Sequence, residues 1–320
     1  MSFSLVQRAL AALVVLSFPL LAGCGGDGTR QGPIELEITE VADAGFETPA
    51  AVIHDPAADV YLVASVGGPF GADDANGFIS RLSPDGEVLD LHWIRPTQPG
   101  RELNSPQGLA IRGDSLFIAD LDCIRIHHRE TGEDLGYTCL DGVTHITDVD
   151  VGPEGSIFVV DSGLDLSGPA PTPTGTDAVY RLVLAEGQRG STLASSEDLG
   201  HPRGIAVGAR GIFVSTSGSG EIFRLTPDGQ RTDVFPESGR HLDGIAFLPD
   251  GGFAFSSWSD EAIYLVTGAG DVVRLFEGIS QPGGIAYDPS RTRLVVPLSS
   301  DGRILFLDMP ADPAAAVEGA

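Results

Sequence analysis

One short pattern recurs six times along the chain and leaves little freedom in how the chain can fold. Each copy has a proline or apolar residue, a variable residue, a small residue and then an alternating apolar run. The copies are Pro49-Ala-Ala-Val-Ile-His, Pro106-Gln-Gly-Leu-Ala-Ile, Ile146-Thr-Asp-Val-Asp-Val, Pro202-Arg-Gly-Ile-Ala-Val, Leu242-Asp-Gly-Ile-Ala-Phe and Pro282-Gly-Gly-Ile-Ala-Tyr. Successive copies start 57, 40, 56, 40 and 40 residues apart. A period near 40 with short alternating strands between Gly/Pro turns is the pattern of propeller blades, sheets that bury their faces only by stacking on one another. The expected fold class is all-β: a six-bladed β-propeller with four antiparallel strands per blade.

The fifth copy shows the blade most plainly. Gly244 to Leu248 reads as the inner strand, followed by Phe253 to Ser257, Ala262 to Val266 and Val272 to Phe276, with Pro249-Asp-Gly-Gly as the first turn. The sixth copy has strands near 284–287, 294–297 and 304–307 but none for its outer edge. Glu35-Leu-Glu-Ile-Thr-Glu-Val alternates and belongs to no blade. It is expected to close the last blade from the N-terminal side, covering an edge that would otherwise be open to pairing. The two long spacings arise from insertions after second strands, residues 67–77 in the first blade and 163–176 in the third. Both should rim one mouth of the central channel, and long rim loops often carry function.

The first residues read as a targeting signal. Arg8 is its one charge, and Ala9 to Leu21 is an apolar run of 13 residues, shorter than the roughly 20 a membrane-spanning helix needs. Leu21-Ala22-Gly23-Cys24 looks like a lipobox, so Cys24 is expected to carry a lipid, and Gly25 argues for the outer membrane facing the periplasm. The expected organisation is a lipoprotein signal peptide over 1–23, a flexible tether over 24–33, the propeller over 34–309 and a disordered tail over 310–320. Cys123 and Cys139 flank a hairpin centred on Glu130-Thr131-Gly132 and should form a cross-strand disulfide in an oxidising compartment. Lysine plus arginine number 19 against 45 aspartate plus glutamate, a net charge of −26, and all the basic residues are arginine. This excludes lysine Schiff-base chemistry and argues against nucleic acid and anionic lipid as partners. It also disfavours self-association. The membrane is reached through the lipid anchor alone, and the chain is expected to be a monomer whose partner is a small-molecule ligand or an envelope protein.

Pro-x-Gly-Ile-Ala in several blades, Asn76-Gly-Phe-Ile-Ser-Arg-Leu-Ser-Pro-Asp-Gly86 and Ser256-Ser-Trp-Ser259 carry a resemblance. Over residues 46–309 the chain resembles the gluconolactonase/regucalcin-like (senescence-marker-protein) six-bladed propellers. The resemblance implies metal-dependent lactone or ester hydrolysis, with a divalent cation, usually calcium, held by the variable residue at the start of successive inner strands. Here those residues are Ala50, Gln107, Thr147, Arg203, Asp243 and Gly283. The family pattern has Glu at Ala50 and Asn at Thr147 and Arg203, so Asp243 alone agrees. Asp243 and Asp148 are the candidate catalytic carboxylates. His145, His201 and His241 each stand two residues before the variable position in three consecutive blades. Together with Asp243 they are the candidate ligands of a transition metal such as zinc. Arg203, Gln107, Thr147 and Trp258 are candidate ligand-binding residues: a guanidinium for an anionic oxygen, a ring for stacking. Two readings stay open, a lactonase-type hydrolase and a non-catalytic propeller that binds a ligand or an envelope protein.

Overall fold

A computed structural model describes residues 36–183, 190–236 and 238–310. The signal, the tether, Cys24 and the tail from 311 lie outside the described residues. Six four-stranded antiparallel sheets form the blades, five of them running in chain order from the channel outward and the sixth completed by the first strand of the chain. Their inner strands are Pro49–Asp55, Pro106–Arg112, Ile146–Val151, Pro202–Gly208, Leu242–Phe247 and Ala286–Asp288. Each occupies a copy of the repeat, the sixth reduced to the end of its copy. Second and third strands are almost wholly buried, as in Val60–Ser65 and Ala262–Val266, because both faces pack on neighbouring blades. Outer strands alternate into solvent.

Ring closure follows the expected route. Glu37–Val41 pairs antiparallel with Arg303–Asp308 and becomes the outer strand of the sixth blade. Val41 packs with Phe306, Tyr61 and Leu82, so the clasp joins the cores of the first and last blades. On the channel side the seam is closed by main chain: the Val52 N–H donates to the Gly284 carbonyl at 3.1 Å and the Gly284 N–H to the Ala50 carbonyl at 2.8 Å. At the far face Tyr61 donates to Asp288 at 2.7 Å, and Arg291 bridges Asp288 and Asp59. Cys123 and Cys139 face each other in the ladder of the second blade and are joined as a disulfide. The insertion in the third blade contains a short hairpin, Leu164–Asp165 with Thr172–Pro173, where the Pro-rich sequence suggests an extended loop.

Candidate functional site

The variable residues of the repeat stand at β-bulges. In five blades the register of the first two strands slips there: between Pro49 and Ala51, Pro106 and Leu109, Ile146 and Asp148, Pro202 and Gly204, and Leu242 and Ile245. A bulge leaves a residue unpaired and re-aims its side chain. Ala50, Gln107, Thr147, Arg203 and Asp243 are thereby released from the ladder at the channel mouth. The following small residue answers to a steric demand. A Cβ on Gly204 would stand 2.4 Å from the Asp243 carbonyl oxygen, and one on Gly244 2.4 Å from the Ile285 nitrogen.

Buried aspartates at the ends of second strands hold the mouth loops. Asp120 accepts from the Asn104 and Ser105 N–H groups at 3.0 and 2.7 Å. Asp161 accepts from the His145 and Gly163 N–H groups, both at 2.9 Å. Asp177, at the start of the next strand, accepts from the His201 N–H at 2.8 Å.

The centre of the mouth is Arg203. Its Nε donates to Asp243 Oδ2 at 2.9 Å, and the two side chains are only 10 % and 8 % exposed. The guanidinium carbon lies 5.4 Å from the ring centres of both Phe70 and Trp258, which are 5.7 Å apart. His241 stacks on Trp258 at 4.8 Å and 20°. Among the described residues no protein acceptor engages the Nη groups of Arg203. His145 is paired with Gln107 through its Nε2. Burial, and then the charge of Arg203, push its pKa down to about 3, so it is a neutral acceptor. Burial and the same charge lower His241. Gln107 Oε1 and Trp258 Nε1 are buried without a partner, each a cost of roughly 1–3 kcal/mol. Thr147 is committed elsewhere, donating to the Pro202 carbonyl at 3.3 Å.

The two rim insertions meet over this cluster. Phe70 reaches from the first blade to Arg203 and Trp258 in the fourth and fifth. A Cβ on the adjacent Gly71 would meet Leu166 of the third blade's insertion at 2.7 Å and the His145 ring at 3.4 Å. The loop is tied down by the Gly71 N–H to Ser105 Oγ at 3.0 Å and the Ala75 N–H to Asn104 Oδ1 at 2.9 Å.

Asp148 and Asp150 lie deeper. Asp148 Oδ2 accepts from the Ile205 N–H at 2.9 Å and Asp150 Oδ2 from the Val207 N–H at 2.6 Å, so two carboxyls fasten the third inner strand to the fourth. Both line a channel cavity of about 350 Å³ walled by the inner strands of all six blades. Enclosure by protein pushes their pKa values up, to about 8 for Asp148 and about 6 for Asp150.

The residues present do not fit a resident divalent cation. A hard cation takes six to eight oxygens with carboxylate charge. Asp243 is the lone carboxylate at the bulges, and a guanidinium already occupies it. The three imidazoles do not converge. His145 is bound to Gln107, His201 turns its Nδ1 to the Ser162 carbonyl at 3.0 Å, and His241 lies on Trp258. Among the described residues the one group with three donor atoms within 4.8 Å is Asp122, Cys123 and Cys139, whose sulfurs are joined to each other.

Solved structures of this shape include a gluconolactonase from Xanthomonas campestris, 17 % identical, with a TM-score of 0.64 over 88 % of this chain and 92 % of that one. A streptogramin B lyase matches at 12 % identity, TM-score 0.59, over 86 % and 98 %. A virginiamycin B lyase from Staphylococcus aureus matches at 14 % identity, TM-score 0.58, over 86 % and 100 %. The chain shares their fold. No family model matches the sequence, and no curated protein does.

Sequence reasoning singled out Arg203, Asp243, Gln107, Trp258, His145 and His241, and the structure brings them together at one mouth. It passed over Phe70 and Asp150, although both leave a trace. Phe70 is the lone aromatic in the 67–77 insertion, flanked by Gly67-Gly68-Pro69 and Gly71. The third repeat carries Asp148 and Asp150 where every other copy has glycine, alanine or isoleucine.

Proposed function

We propose that this protein is a lipid-anchored envelope propeller whose channel mouth captures a small flat ligand bearing oxygen acceptors, without a catalytic metal. The observation that carries this is the Arg203–Asp243 ion pair at 2.9 Å. It spends the one carboxylate available at the bulges and puts a positive charge where a cation would sit, a repulsion of several kcal/mol (~4 kcal/mol per unit of cation charge at 4 Å and an effective dielectric of 20). The same residues suit capture: unspent guanidinium donors, an unpaired indole N–H and an aromatic face. Export and attachment through Cys24, with the propeller in the periplasm beneath the outer membrane, are supported by Leu21-Ala-Gly-Cys24 and by the Cys123–Cys139 disulfide. The charge of −26 supports a monomer and argues against nucleic acid as partner.

The test is elemental analysis of the purified chain without chelator, with melting temperature followed on adding calcium or zinc. The expected result is no stoichiometric metal and no rise in Tm. One equivalent of either ion, with a Tm that climbs with its concentration, would defeat the reading. Arg203→Ala should weaken ligand capture tenfold or more.

A second reading, metal-dependent hydrolysis of a lactone or ester by Asp243 and Asp148 around calcium or zinc, draws its support from the shared fold with a gluconolactonase. It requires Asp243 to exchange Arg203 for the cation. A positive metal result would be followed by a lactone panel with Asp243→Ala as control.

A further inference from the structure

The geometry points to a built-in competitor: the 67–77 loop plugs the mouth with Phe70, and the ligand it competes with is an aromatic ring carrying a carbonyl or carboxylate oxygen. The inference rests on the capture reading and adds the ligand's class and its control. Among the described residues Phe70 is the phenyl group that a rim loop offers to the mouth, set against Trp258 and with the Arg203 guanidinium carbon over its ring. It lies tilted at 50° to the indole and leaves the polar groups beside it unanswered. The Nη groups of Arg203 have no protein acceptor among the described residues, and the Trp258 Nε1 donor is buried without a partner. A phenyl side chain cannot answer them, whereas a ring in its place with an oxygen substituent can accept from Arg203 Nη or Trp258 Nε1. Native structures rarely leave such donors unpaired, and the indole N–H beside the unspent guanidinium donors around one plug marks a place where an acceptor on another molecule completes the bonding.

The base of the loop is fastened at Gly67, Gly68, Ala75 and Gly77, whereas the tip that carries Phe70 reaches the mouth wall through one hydrogen bond. Gly71 contributes its N–H to Ser105 Oγ, and its missing side chain lets the loop close on Leu166 and His145. The mouth is then a two-state element. Apparent affinity equals the affinity of the open mouth scaled by the fraction of molecules with Phe70 out. Loosening the loop must tighten ligand binding even when Phe70 is retained. A Phe70 that serves only as packing does not behave this way.

Calorimetric titration of the full-length protein with benzoate, benzamide and cyclohexanecarboxylate tests this, using wild type, Ser105→Ala, Phe70→Ala and Trp258→Ala. Benzoate and benzamide should both bind. Removing one loop hydrogen bond in Ser105→Ala should tighten them about fivefold, and Phe70→Ala should tighten them tenfold or more. Cyclohexanecarboxylate should be ten times weaker than benzoate in every variant. Benzoate and benzamide separate an anionic from a neutral carbonyl group, and preference for either one is compatible with the stated class. Unchanged affinity in Ser105→Ala and Phe70→Ala overturns the plug but spares mouth binding, provided Trp258→Ala still weakens the ring. If Trp258→Ala has no effect on a ring that binds, both readings fall. No aromatic binding even to Phe70→Ala overturns the ligand class, and glucono-1,5-lactone titrated in parallel shows whether mouth capture survives without it.

Discussion

Asp148 and Asp150 put two carboxyls inside the channel wall, and their cost depends on pH. Enclosure raises both above the ordinary carboxylate value of about 4, and for Asp148 the nearby Asp150 and Asp243 add to the rise. The folded protein therefore keeps protons that the unfolded chain releases. Stability is full below the unfolded pKa and declines as pH climbs, until the folded pKa values of about 6 and 8 are passed. Melting temperature should fall between pH 5 and 8 through these two groups and level off above that. Asp148→Asn keeps an oxygen for the Ile205 N–H, gives up the one that accepts from the Val149 N–H, and cannot ionise. It should flatten the upper part of the decline and raise Tm at pH 8 by about 2–4 °C, the shift that roughly 1 kcal/mol produces. A variant whose pH profile superimposes on wild type would show that Asp148 is ionised in the folded state at neutral pH. At this scale legibility was uneven. Arg203 and Asp243 were visible because they hold one repeat position in neighbouring blades. Phe70 was not, because its partners come from blades more than 130 residues away in sequence, and no periodicity connects a rim loop to the wall it crosses to.

Strands and bulges were legible to the extent that each is local. Alternation and Pro-Asp-Gly turns located Phe253–Ser257, Ala262–Val266 and the Val272–Glu277 outer strand to within a residue. The short hairpin in the third blade's insertion was not visible, since its pairing of Leu164 with Pro173 depends on the loop folding back. The clasp was inferred by elimination, as one alternating segment without a blade and one blade without an outer strand. Its energetic weight lies in Val41, buried with Phe306 so close to Gly86 of the first blade that a Cβ there would stand 2.7 Å from the valine. Val41→Asp would place an unpaired carboxylate in that seam, at a cost of at least ~3 kcal/mol. It should lower Tm by several degrees and make Arg303–Asp308, now an open edge, the first segment to exchange amide protons. Glu37→Ala, at the exposed start of the same strand, should stay within about 0.5 kcal/mol of wild type. Equal effects from the two would mean that the strand contributes only backbone pairing.

Across the whole molecule the dominant long-range force is self-repulsion. Forty-five acidic side chains face 19 arginines, and many of those arginines are already committed to local partners: Arg129 to Asp55, Arg203 to Asp243, Arg291 to Asp59 and Asp288, Arg293 to Asp308. The excess of acid remains spread over a closed ring that cannot expand without opening a seam. Salt acts on these two populations differently. Partly buried pairs are screened little, while exposed like charges separated by about a Debye length (~10 Å at 0.1 M) are screened strongly. Raising sodium chloride from 0.01 to 0.3 M should therefore stabilise the folded ring, and Tm should rise by a few degrees at pH 7. The rise should shrink towards pH 4, where the exposed carboxylates approach neutrality and the repulsion it relieves is gone. A Tm that falls with salt at pH 7 would mean that the arginine pairs outweigh the net charge. Stability would then rest on the seams where those pairs sit, Arg291 and Arg293 at the closure foremost.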